Sequence, residues 1–328
     1  MTRFSLLSLL TVMLLAVTGM LFLSVVLEHR VTSTPRVLFI NGGSGVNWQR
    51  AIAGARAAAQ DFGVELCVES PSPNNTVDDQ SALLRSATNV AYEGVVFSPA
   101  DPASQCAVIN ELADRSKVVT FGKDCRELKR LCHVGFRQID AGRLVARLVR
   151  DELPKHGKVA LLTTVLLDVG INSGGERLAG FKEQWKEQGA PTTCSIVDVA
   201  IESTDLQQMA RRLSAMLADP EVTYIVAFDN NAAEAALRAL AAIPESRRKP
   251  VTAFEPSAAI LAAIESGMEC SAIYEDPYRD SYEAIRRVAR YVKCDSTTLP
   301  VPGHGEFPLT GEVVRKANVA EIRNRTQS

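Results

Sequence analysis

Histidine is scarce in this chain. There are four in 328 residues, scattered, and none falls at the Cys/His spacing of a zinc site. No cofactor or metal is called for. The usual catalytic signatures are also missing. "NGGSGVNW" (41–48) lacks the third glycine of G-x-G-x-x-G and the Gly-Lys of a P-loop, so it reads as a tight turn that lets a helix start close to a strand. Neither "GGSGV" nor "INSGG" fits the nucleophile-elbow pattern G-x-S-x-G. Basic residues are in no excess: 36 Lys and Arg face 38 Asp and Glu, for a net charge of −2, and nucleic acid is excluded as a partner.

Charge is absent altogether from residues 4–27. As a helix this run would be about 36 Å long at ~1.5 Å per residue, against a bilayer core of ~30 Å. Arg3 precedes it, which keeps the N-terminus cytoplasmic and exports the remainder. The run exceeds a secretory h-region of ~7–15 residues, and no clean A-x-A site follows it. Residues 1–30 therefore read as a signal anchor or signal peptide, the anchor being favoured, with 31–35 as linker. Anchoring through residues 4–27 predicts a periplasmic or extracytoplasmic protein held in the inner membrane. Seven cysteines in an exported chain leave at least one unpaired if bridges are internal, and Cys125 with Cys132 form the best candidate pair.

From Arg36 onward, short apolar runs alternate with amphipathic helical stretches: "RVLFI", "GVELCVE", "GVVFSPA", "KVVTFG", "KVALLT", "CSIVDVA", "VTYIVAFD", "PVTAFE" and "CSAIYED". That rhythm predicts the α/β class, with parallel sheets covered on both faces. About ten strands exceed one core, so two Rossmann-like, doubly wound lobes are expected.

In such sheets ligands sit beyond the carboxyl ends of strands. The residues there are Asn41, Asn47, Trp48, Ser98, Asp101, Lys123, Asp124, Arg177, Asp229, Asn230, Glu255 and Glu275. Carboxylates accept hydroxyl hydrogens, Arg donates in a fixed fork, and an aromatic face covers C–H groups, so the set suits a polyhydroxylated ligand. Arg177 is the odd residue. In "NSGGERLAGFKEQWKEQG" (172–189), Ser173 and Glu176 form a capping box, Gly189 a stop, and Leu178, Phe181 and Trp185 a buried face. A cation in the first turn opposes the helix dipole. Facing acids across a cleft would give it a reason.

These segments in this order resemble the ribose-type branch of the type I periplasmic binding proteins, the substrate-binding proteins of sugar ABC transporters. "VLFINGGSGVNWQRAIAGARAAAQDFGVEL", "GVVFSPADP", "GERLAGF", "VAFDNNAAEAALRAL", "TAFE" and "SGMECSAIYEDP" carry the resemblance, from Val37 to about Asn318. It implies ligand contacts at Asn41, Trp48, Ser98, Lys123, Arg177, Asp229, Glu255 and Glu275. The paired aromatics of the family's first turn become Asn47-Trp48, and three carboxylates stand where amides are often mixed in, which opens the specificity to an amino or cationic polyol. The resemblance also implies three crossings, near Arg137, Glu275 and Gly303. The first lobe is then 36–137 plus 276–302 and the second 138–275 plus 303–318, with 319–328 a tail. The implied function is non-enzymatic: trapping a sugar or polyol for an ABC permease. The alternatives are a tethered sugar sensor that presents its ligand to a signalling receptor, and a carboxylate-dependent sugar-processing enzyme, which needs two carboxyls ~5–10 Å apart.

Overall fold

The computed structural model describes residues 11–21, 34–43, 45–72, 77–124, 127–153, 156–164, 173–188, 194–203, 205–293 and 305–327. Helix α1 covers residues 11–21, all of them exposed. Eleven residues rise about 16 Å, half of a bilayer core. Among the described residues no helix is long and apolar enough to cross a membrane. The rest of the uncharged run lies outside the described residues.

The first sheet starts with β1 (Arg36–Ile40), α2 (Val46–Phe62), β2 (Glu65–Glu69), α3 (Val77–Ala87), β3 (Gly94–Phe97), α4 (Cys106–Ala113), β4 (Lys117–Phe121) and β5 (Cys132–Gly135). The chain then crosses to a second unit: α5 (Gln138–Glu152), β6 (Gly157–Thr164), α6 (Ser173–Glu187), β7 (Cys194–Ile201), α7 (Leu206–Ala218), β8 (Val222–Ala227), α8 (Asn230–Ala241), β9 (Val251–Phe254), α9 (Ala258–Glu265) and β10 (Cys270–Tyr274). It returns for α10 (Pro277–Lys293) and β11 (Gly305–Pro308), then crosses again to β12 (Glu312–Val314) and α11 (Val319–Gln327). The sheets run β11-β5-β4-β3-β1-β2 and β12-β10-β9-β8-β6-β7. All pairs are parallel except β10–β12. Central strands such as β3, β9 and β10 are buried along their whole length, as a sheet covered on both faces requires.

Three details differ from the sequence reading. Gly305–Pro308 pairs with β5 in the first sheet, so the third crossing falls at residues 309–311 and not near Gly303. Residues 319–327 are a helix and not a tail, because Val319 and Ile322 bury into the second lobe's core. Cys132 is a fully buried free thiol rather than half of a bridge; its expected partner, Cys125, lies outside the described residues. Burial pushes the Cys132 thiol up to about 12, which keeps it protonated and inert.

Glycine sets the contact that matters most for the site. A Cβ on Gly142 of α5 would meet the Arg177 carbonyl oxygen at 1.8 Å, and one on Gly180 of α6 would meet the Ile139 carbonyl oxygen at 1.9 Å. The two helices touch backbone to backbone, which brings the start of α5 against the first turns of α6. Gly142→Ala is expected to lower the unfolding free energy by about 1–3 kcal/mol through overpacking. Gly175→Ala, where a Cβ meets nothing within 4 Å, should be neutral or stabilise by up to about 1 kcal/mol. Urea unfolding of both variants checks the contrast.

Candidate functional site

The close approach of α5 and α6 puts Gln138 beside Arg177. The Arg177 side chain is only 4% exposed, and its guanidinium is almost fully used. Nε donates to Gln138 Oε1 at 2.5 Å. One terminal nitrogen donates to the Phe228 carbonyl at 3.1 Å and to Glu255 Oε1 at 3.0 Å. The other lies 3.5 Å from Glu275 Oε1. Gln138 closes the ring by donating to the same Glu275 oxygen at 3.1 Å. Beneath it, the Phe254 ring centroid is 4.6 Å from the guanidinium carbon, a cation–π contact. The cation that opposes the helix dipole is thus held by two carboxylates, an amide, a carbonyl and a ring. The Ser173 side chain and Gly189, expected to cap this helix, lie outside the described residues.

The two glutamates of this cluster, Glu255 and Glu275, border a cavity of about 540 Å³ between the lobes. Asn47, Trp48, Ser98, Phe121 and Gly122 line it from the first lobe. Glu255, Ser257 and Asn230 line it from the second, with Tyr274, Glu275 and Asp280 at the crossing between β10 and α10. Trp48 lies over Gly42, where a Cβ would meet its ring at 2.3 Å, and packs edge-on to Phe121 at 6.2 Å. Glu255 takes a left-handed φ of 62° at the end of β9, a conformation that costs a non-glycine residue of order 1–3 kcal/mol.

Of the strand-end residues, Asn47, Trp48, Ser98, Asn230, Glu255 and Glu275 meet at this cavity, with Arg177 bonded behind them. The others are engaged elsewhere or sit back from it. Asp229 caps α8, accepting from Ala232 N at 2.8 Å and from Thr164 N at 2.7 Å. Asp124 pairs with the buried Arg130 and accepts from Thr120 at 2.8 Å. Asp101 accepts from Ala103 N within its own turn, and Lys123 donates to the Ala100 carbonyl. Asn41 is buried with its Oδ1 unpartnered.

The sequence profile of the periplasmic binding protein domain matches residues 37–295. The chain belongs to this family. Its fold is also that of AraP, an arabinose-binding protein from Geobacillus stearothermophilus, at 18% identity and a TM-score of 0.75, covering 88% of this chain and 99% of that one. A periplasmic solute-binding protein from Actinobacillus succinogenes with bound D-allose matches at 16% identity and a TM-score of 0.69, over 88% and 100%. The XylFII–LytSN complex contains a chain matching at 19% and 0.65, over 87% and 99%. No curated protein sequence matches. Family membership implies that the lobes work outside the cytoplasm.

In this periplasmic binding protein the sequence reading missed Gln138, Phe121, Tyr274 and Asp280. Gln138 could have been found as the first helical residue after a crossing. Asp280 had no signal, since an acid in the first turn of a helix is ordinary.

Two acids at the crossing titrate abnormally. Burial pushes the Glu275 carboxyl up, against the pull of Arg177. Burial, then Glu275 and Asp276, raise Asp280 well above the carboxylate range, with only Arg279 opposing. An acid whose folded pKa is raised keeps a proton that the unfolded chain has lost. It therefore destabilises the fold increasingly as pH climbs from about 4 to the raised value, and by a constant amount beyond it. Asp280→Asn should match the wild type near pH 4 and become progressively more stable above it. Urea unfolding at stepped pH tests this; a pH-independent difference would remove Asp280 as the source.

Proposed function

We propose that this protein is the solute-binding component of an ABC importer and that it traps a monosaccharide or related polyol between its two lobes. The observation that carries the reading is the interlobe cavity, with an aromatic wall on one side and an Arg-ordered set of carboxylates on the other. Trp48 and Phe121 would cover the C–H face of a sugar ring. Glu255, Glu275 and Asn230 would accept its hydroxyl hydrogens, and Ser98 and Asn47 would complete the set from the first lobe. Asn41, Asp101, Lys123, Asp124 and Asp229 would take part through the ordered strand ends that they occupy. Ligand contacts to both lobes are available together only when the lobes close, so closure is the event a permease would sense. The arabinose-binding and D-allose-bound neighbours support a sugar as the ligand class.

The tether belongs to the same reading. Val12, Met13, Leu14, Leu15, Met20 and Leu21 of α1 are each at least 60% exposed, a surface that water does not stabilise. Residues 4–27 would anchor the lobes in the inner membrane.

A thermal-shift screen of pentoses, hexoses and inositols tests the binding reading. A true ligand at about a hundred times its Kd should add about 2.7 kcal/mol of stability. Arg177→Ala should abolish that shift and Trp48→Ala should weaken it; a screen with no hit would overturn the proposal. For the tether, the protein should stay with membranes after a carbonate wash. A mature chain beginning near residue 19 or 30 would refute it.

A further inference from the structure

Asp280 separates two cavities. It lines the interlobe cleft and also a smaller space of about 50 Å³ behind the hinge. The residue is only 9% exposed. Among the described residues nothing donates a hydrogen bond to its carboxylate and no cation pairs with it, although it has electrostatic neighbours in Glu275, Asp276 and the exposed Arg279. Asp276, one turn earlier, shows the contrast. It takes Arg50 at 3.3 Å, the Tyr274 hydroxyl at 3.3 Å and Arg325 at 3.9 Å. A buried acid without a donor costs free energy unless something entering the cavity supplies one.

The second lobe's wall has the same imbalance. The N–H groups of Arg177 are committed to Gln138, the Phe228 carbonyl, Glu255 and Glu275. Asn230 Oδ1, on the wall, is buried without a donor. What the hinge end of the cleft has left to offer is mostly acceptors, and its three carboxyls (Glu255, Glu275, Asp280) outnumber the single guanidinium by two. A hydroxyl brings one donor and two lone pairs, and those lone pairs would face more acceptors. A protonated amine brings three donors, no acceptor and a positive charge.

Resting on the sugar-binding reading, we infer that the cleft selects an amino sugar, with its ammonium seated against Asp280 and Glu275 at the hinge end and its ring against Trp48. Asp280 is then the specificity-determining residue. It belongs to the α10 side of the hinge, so a cation there would bridge the crossing itself.

Calorimetric titration of the full-length protein in detergent at pH 7 tests this with matched pairs: D-glucose and D-glucosamine, D-galactose and D-galactosamine, D-mannose and D-mannosamine. At least one amino sugar should bind about tenfold to a hundredfold tighter than its neutral partner, the range of a hydrogen bond to a charged group. Asp280→Asn should bring that ratio close to one. Equal affinities within every pair, or a preference for the neutral member, overturn the amino-sugar inference and leave the sugar-binding reading standing. An unchanged ratio in Asp280→Asn overturns the role of Asp280. Failure of every neutral and amino sugar to bind overturns both readings together.

Discussion

A single buried guanidinium organises the second lobe's half of the cleft. Arg177 touches the start of α5, the end of β8, the end of β9 and the crossing after β10. Taking that charge out of water costs several kcal/mol, which only well-placed partners offset. It has them, and two of them, Glu255 and Glu275, line the cavity. Each partner is fixed by the same ion that it neutralises, so the acceptors facing the cleft are already in place before a ligand arrives. Preorganisation of this kind reduces the ordering cost of binding.

The position of that ion ties recognition to motion. Glu275, Asp276 and Asp280 lie on the β10–α10 crossing, one of three strands of chain that join the lobes. α10 itself buries Ala284, Ile285, Val288 and Ala289 in the first lobe's core. A ligand held by Glu275 and Asp280 therefore pulls on both lobes through one short segment. Hinges absorb such motion in a few residues at the ends of elements.

Much of this was legible in the sequence, and for physical reasons. Parallel strands buried on both faces read as continuous apolar runs, so "RVLFI" and "VTYIVAFD" declared themselves. β5, β11 and β12 did not, because "CHVG", "GEFP" and "EVV" are three or four residues long with no apolar run to mark them. They are edge or near-edge strands, formed because a sheet is already present. Arg177 was legible because it violates a local rule. Asp280 was not, because it obeys one: the acid-at-helix-start preference hides its burial. The Asp124 pairing was not legible, since a strand-end acid looks the same in sequence whether its carboxylate is free or, as here, paired with the buried Arg130.

The two walls divide the work unequally. In the first lobe, Trp48 is seated over Gly42, Phe121 stacks on Phe39 at 5.5 Å, and Ser98 is the one nearly buried hydroxyl on the wall. Opposite it, a strained Glu255 and an ion-paired Glu275 supply charge, and Asp280 at the crossing adds a carboxyl without a hydrogen-bond donor. The strain at Glu255 is held by its N–H donating to the Ile273 carbonyl at 3.1 Å and by Arg177 at its carboxylate. Strain persists only where its surroundings over-determine it, and here they do so to aim one carboxylate across a cavity. An aromatic surface discriminates poorly among ring substituents, because every pyranose presents a C–H face. Choice of ligand therefore falls to the second lobe and the hinge, where the charges and the orphaned acceptors are concentrated.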